Sequence, residues 1–225
     1  MRPLRIVFLC AWTAVLAEPA SASEGWYVGL GLAPAWLHTE FRYADGSRIS
    51  PPLDTSFMVD GAIGYKWRPN WRVELEPFWT VVNVKKSQIG NRPHTQVLSN
   101  VNADIITGDI RTRGFLANVA LDTPINRKFA FTVGGGLGWA NVSPSVSALG
   151  GLAIADQGES GFAWQLLAGI TYSIDDNFEL QLDYRYRGIT DTHHNSSFVA
   201  INPVTANNTD LQSIVLSIRW YPWKR

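Results

Sequence analysis

The sequence predicts an all-β fold: a transmembrane, up-and-down antiparallel β-barrel, built from eight strands within 225 residues. Three observations predict it. Apolar and polar residues alternate with period two in eight separate segments. The connections between those segments alternate strictly between short and long. The aromatic residues (10 Trp, 7 Tyr and 10 Phe) gather at the segment ends.

The first 22 residues stand apart. Arg2 and Arg5 form a basic start, Ile6 to Leu16 run mostly apolar, and Ala20-Ser21-Ala22 has the small-x-small shape of a signal peptidase site. The apolar stretch is shorter than the roughly 20 residues a membrane-spanning helix requires. We therefore expect a cleaved secretory signal over 1–22 and a barrel domain over 23–225. Cys10, the sole cysteine, leaves with the signal, so the mature chain has no thiol for disulfides, thiolate metal sites or nucleophilic catalysis. It retains 17 basic and 18 acidic residues. That near-neutrality argues against nucleic acid as a partner. Mean hydropathy is −0.04, and after residue 22 no apolar run reaches helix-spanning length. Barrel strands escape this test because their alternation averages out.

The eight segments follow in order. Trp26, Val28, Leu30, Leu32 and Trp36 oppose Gly29, Gly31, Ala33 and Ala35. Phe57, Val59, Ile63, Tyr65 and Trp67 oppose Asp60, Ala62, Gly64 and Lys66. Val73, Leu75, Trp79 and Val81 oppose Arg72, Glu74 and Glu76. Phe115, Val119 and Leu121 face away from Asn118 and Asp122. Phe129, Phe131, Val133, Leu137 and Trp139 alternate with Ala130, Thr132 and three glycines. Phe162, Trp164, Leu166, Ile170 and Tyr172 oppose Gln165, Gly169, Thr171 and Ser173. Phe178, Leu180, Leu182, Tyr184 and Tyr186 alternate with Glu179, Gln181, Asp183, Arg185 and Arg187. Ile214, Leu216, Ile218 and Trp220 oppose Ser213, Ser217 and Arg219. Successive strand side chains point to opposite faces, so each segment has one apolar face.

The apolar faces are bulky, and their opposites are glycine, alanine or ions. A soluble barrel or sandwich would bury the large residues; here they must look outward into lipid, with the small and charged residues inside. Trp26, Trp36, Trp67, Trp71, Trp79, Trp139, Trp164, Tyr172 and Trp220 then form an aromatic girdle. The short connections are Arg68–Asn70, Thr123–Lys128 and Asp175–Asn177; the long ones run roughly over 42–54, 85–108, 141–160 and 189–209. Short turns on one side and long loops on the other place both termini in the periplasm. Trp220 is expected to be the last lipid-facing residue, followed by a short tail.

Gly25-Trp26-Tyr27-Val28-Gly29, Asp183-Tyr184-Arg185-Tyr186-Arg187 and an aromatic-rich last strand together resemble the small porin-family and OmpA-like surface barrels of Gram-negative bacteria. That resemblance implies an outer-membrane location and the bilayer, lipopolysaccharide, periplasmic chaperones and the barrel-assembly machinery as partners. Such chains usually finish on an aromatic residue, whereas this one runs on through Trp223-Lys224-Arg225.

An eight-stranded barrel leaves a bore just wide enough for side chains. Its inward charges are Asp60, Lys66, Arg72, Glu74, Glu76, Asp122, Glu179, Asp183, Arg185, Arg187 and Arg219. Buried together they must pair. This predicts a charged plug and a structural or surface-interaction role, without enzyme activity, cofactor or metal. A small-solute channel is the alternative. A lipid A-modifying enzyme is a second one: His194 and Ser196 stand at His-x-Ser spacing, similar to lipid A deacylase barrels, with Asp210 as an orienting group. Strand length argues against that, since a strand entering the apolar band near Phe178 leaves it near Gly188, below His194. His38 and His94 are isolated. Gly134-Gly135-Gly136 lies within a strand and reads as relief of crowding in a narrow bore, not as a phosphate cradle.

Overall fold

The computed structural model describes residues 24–42, 48–49, 53–67, 70–87, 106–148, 152–155, 158–190, 192–194 and 204–224. The expected signal and its cleavage site lie outside the described residues.

Eight long strands form one closed sheet: β1 (Gly25–Arg42), β3 (Ser56–Trp67), β4 (Trp71–Ser87), β5 (Ile106–Pro124), β6 (Phe129–Ala148), β8 (Glu159–Ser173), β9 (Phe178–Ile189) and β11 (Val204–Lys224). Each pairs antiparallel with the next, and β11 returns to β1 through pairs such as Gly31↔Ser217 and Leu32↔Leu216. Closure removes the free edge, so backbone groups within the hydrocarbon layer find partners in the sheet. Three short strands extend the rim: β2 (Arg48–Ile49) on β1, β7 (Leu152–Ala155) on β6, and β10 (Thr192–His194) on β11.

Two of the three tight turns share one chemistry. Asn126 Oδ1 accepts the backbone N–H groups of Lys128 and Phe129, each at 2.9 Å. Asp175 Oδ1 accepts those of Asn177 and Phe178 at 2.7 and 2.9 Å. Asx side chains thereby take over hydrogen bonds where the ladder reverses. At the remaining turn Asn70 adopts φ 102°, a left-handed conformation that asparagine tolerates.

Two expectations are corrected. The strands outrun the predicted ends: β6 continues to Ala148 and β7 folds back onto it, so 141–160 is mostly hairpin, not loop. At about 3.3 Å per residue, a strand as long as β6 exceeds what an apolar band of ~25 Å requires. The expected tail after Trp220 is also strand. Tyr221 points inward, fully buried, and Lys224 pairs with Gly25, so these residues complete the seam between β11 and β1.

The assigned faces hold. Leu30, Leu32, Phe57, Leu137, Leu166, Leu182 and Leu216 are all more than half exposed, while alternating neighbours such as Gly31, Met58, Gln165, Gln181, Asp183 and Val215 are buried. Inside, however, the bore is not merely glycine, alanine and ions. Near the short turns it is polar; toward the long connections it holds an apolar core that includes Leu37, Met58, Phe78, Val82, Ile110, Leu116, Val142, Ile189 and Leu211. Extending the parity of Glu74 and Glu76 along β4 reaches Phe78, Thr80, Val82 and Val84. That continuation was the available signal.

Candidate functional site in the barrel lumen

Every predicted inward charge is buried inside the barrel. The residues sort into two connected layers. In the layer near the short turns, Lys66 Nζ, from the end of β3, lies 3.0 Å from both Asp122 Oδ2 and Glu179 Oε1. Arg72 Nη1 meets Asp122 Oδ1 at 2.7 Å, and its Nε approaches Glu74 Oε2 at 3.7 Å. Thr132 donates to Asp122 Oδ1 at 2.8 Å. Arg219 Nη1 reaches Glu179 Oε2 at 3.5 Å and its guanidinium lies over the Tyr27 ring, 5.6 Å from the centroid.

Two tyrosines complete this layer. The Tyr27 hydroxyl donates to Glu74 Oε2 at 2.6 Å, and that of Tyr221 to Glu179 Oε2 at 2.8 Å. Neither was among the predicted lumen residues. Tyr27 sits between outward Trp26 and Val28, so parity alone assigned it to the bore. Tyr221 was lost by ending the strand too early.

The middle layer centres on Glu76. Its Oε1 contacts Arg185 Nη1 at 2.8 Å and also Arg187 Nη2. Its Oε2 accepts from Asn118 Nδ2 at 2.8 Å and from Gln165 Nε2 at 3.2 Å. Arg185 has two further carboxylates, Asp183 at 3.0 Å and Asp60 at 3.3 Å. Arg187 donates from Nε to Gln165 Oε1 at 2.8 Å, and its guanidinium stacks 4.5 Å from the Phe78 ring centroid. Phe78 thus joins the charged layer to the apolar core. Asn118 also donates to Glu74 Oε1 at 3.2 Å, which links the two layers. Gly136 gives Asn118 its space, since a Cβ there would collide with the Asn118 amide. The crowding read from the glycine run is present at that position.

The girdle residues lie on the outer surface in two groups. Trp26, Trp67, Trp71, Tyr172 and Trp220 sit near the short turns; Trp36, Trp79, Trp139 and Trp164 sit toward the other end. Trp164 and Tyr172 are half-buried: Trp164 packs over Gly188 and beside Tyr186, and Tyr172 against Phe129. Of the candidate histidine–serine pair, the His194 backbone pairs with Val204 on β11, six residues and roughly 20 Å along the strand from Asp210. Ser196 lies outside the described residues. Asp210 instead accepts from Gln212 Nε2 at 3.3 Å. Among the described residues no three His, Cys, Asp or Glu side chains form a metal-binding group.

A closed eight-stranded barrel with a lipid-compatible exterior, two aromatic girdles and a charged bore defines a small transmembrane barrel of the outer membrane. The chain belongs to the outer membrane protein beta-barrel domain family, whose profile it matches over residues 6–220. It is 26% identical over 195 residues to a Rickettsia prowazekii (strain Madrid E) protein whose name proposes an adhesin role, covering 84% of this chain and 86% of that one. Neisserial surface protein A shares the fold with a TM-score of 0.51 and 16% identity, covering 88% of this chain and 98% of that one. The outer membrane protein AlkL does so with a TM-score of 0.50 and 16% identity, covering 90% and 92%.

Proposed function

We propose that this protein is a non-enzymatic outer-membrane barrel whose bore is closed by its own side chains and whose outward end makes contacts at the cell surface. The observation that carries the closure is Glu76. It joins strands across the bore by binding Arg185 and Arg187 together while Asn118 and Gln165 occupy its second oxygen. Above it the described part of the bore carries no buried charge: its lining is mostly apolar, with the hydroxyls of Thr39, Ser56, Thr80, Thr112 and Thr209 among it. A paired charge layer below and a mostly apolar layer above are separate barriers in series. The lipid bilayer, lipopolysaccharide, periplasmic chaperones and the barrel-assembly machinery are the partners this reading requires.

The surface role draws support from the Rickettsia relative's name and from the length of the connections at that end. Two measurements test the proposal. In planar bilayers the purified barrel should leave the baseline current unchanged; steady open-channel current would overturn the closure. Bacteria displaying the barrel should be retained on cultured animal cells, and replacing the four long connections with short turns should abolish retention while the folded barrel persists. Equal retention of both would overturn the surface role.

A further inference from the structure

One charge on the lipid-facing surface has no place in the lumen network. On β5 the outward residues are Arg111, Arg113, Phe115, Ala117 and Val119. Arg111 is paired with Asp109 at 2.8 Å. Arg113 has no such partner among the described residues, and it is flanked across the sheet by Trp79 on β4 and Asn141 on β6. Asn141 pairs in turn with Ser160 on β8. One row nearer mid-membrane stand Phe115, Trp139 and Phe162, with Trp139 and Phe162 edge-to-face at 6.1 Å. These residues border a surface groove of about 530 Å³ lined by Arg113, Phe115, Trp139, Asn141 and Ser160.

Height decides what this arrangement meets. Leu121 pairs with Trp71 of the lower girdle, and Arg113 stands eight residues further up β5. At a strand tilt of about 40° that is a rise of roughly 20 Å, close to the upper edge of a ~25 Å apolar band. An arginine is tolerated there, where its stem lies along apolar surface and its head reaches the polar layer. The long connections mark this as the outer leaflet, which is built of phosphorylated glycolipid.

We propose that Arg113 anchors a binding site for one phosphorylated outer-leaflet glycolipid. The phosphate sits on the guanidinium, which matches it as a two-point, charge-assisted donor. An acyl chain follows the groove along Phe115 and Trp139. Asn141 Nδ2 donates to Ser160 Oγ at 3.2 Å, so the Ser160 hydroxyl keeps its own proton to give to the headgroup. Ser143 donates to Asn141 Oδ1 at 2.7 Å and holds that amide in place. The nearby acids do not cancel the site: Asp109 is engaged by Arg111, and Glu159 lies on the rim beside Val142. The site stands on the barrel's location and orientation, independently of the closed bore.

The test uses folded barrel in maltoside micelles doped with bis-phosphorylated lipid A, read by native mass spectrometry, with folding checked by heat-dependent gel mobility. Wild type should retain one lipid. Arg113→Gln should weaken retention about tenfold or more, the consequence of losing a charge-assisted contact. Arg113→Lys should retain part of it. Arg111→Gln should change it by less than about threefold, because that arginine is already paired with Asp109. Enzymatically dephosphorylated lipid A should bind as poorly to wild type as the phosphorylated form binds to Arg113→Gln. Equal binding by wild type and Arg113→Gln would overturn the proposal, as would equal losses from the two arginine variants. Displacement of the lipid by millimolar inorganic phosphate would instead make this a site for free anions.

Discussion

Glu76→Ala is the sharpest perturbation of the lumen, because two ways of reasoning predict opposite results. The buried set contains six carboxylates and five cations. By count alone, removing one carboxylate balances the bore and should be harmless. The geometry says otherwise. Glu76 Oε1 serves both Arg185 and Arg187, so its loss affects two buried cations at once. Arg185 keeps Asp183 at 3.0 Å and Asp60 at 3.3 Å. Arg187 is left with Asp60 at 4.0 Å as its nearest carboxylate and with the Gln165 amide oxygen. Stranding one buried charge costs on the order of 3–5 kcal/mol, so Glu76→Ala should destabilise the barrel by about that amount. The assay is urea unfolding in lipid vesicles, followed by tryptophan fluorescence. A double-mutant cycle then separates the partners. Glu76 should couple to Arg187 by about 1–3 kcal/mol and to Arg185 by less, since only Arg187 loses its main partner. A harmless Glu76→Ala would refute the geometric reasoning in favour of overall charge balance. Additive losses with both arginines would show that Glu76 is not their shared anchor.

Four further outcomes follow from the same contacts. Leu182, exposed to mid-membrane, should cost ~2–4 kcal/mol when changed to Arg, whereas Ile174→Arg at the rim should cost about 1 kcal/mol or less; equal refolding yields in vesicles would refute the assigned depths. Gly136→Ala should destabilise by on the order of 1–3 kcal/mol because its methyl displaces the Asn118 amide, and Asn118→Ala in the same background should recover part of that loss in urea titrations. Deleting residues 221–225 should abolish the folded band seen on unheated detergent gels, since Tyr221 binds Glu179 and Trp223 and Lys224 pair with β1; Tyr221→Phe should keep the band but lower the urea midpoint. Edman sequencing of protein recovered from outer membranes should begin at Ser23-Glu24-Gly25; a retained Cys10 would refute cleavage after Ala22.

The sequence by itself determined the wall of this barrel. Period-two alternation is a local property of strand geometry. Phe178 to Arg187 therefore identified its lipid face and its lumen face without reference to any other strand. The same logic, together with turn residues such as Asn126 and Asp175, set the number of strands and their antiparallel order. Parity carried further than it was taken: it contained Tyr27 and Phe78 as lumen residues, and a strand run through Tyr221 in place of a tail. What parity cannot contain is height around a sheared cylinder. Arg72 and Asp122 are 50 residues apart, Glu76 and Arg187 are 111 apart, and Lys66 and Glu179 are 113 apart. Whether such residues share a layer depends on strand tilt and register summed over the closed sheet. The tertiary structure alone decided that Glu76 is held by two arginines, and that Arg113 stands between Trp79 and Asn141, one row from Phe115 and Trp139. The physical reason is that each of these is a relation between strands, fixed only when the first strand meets the last.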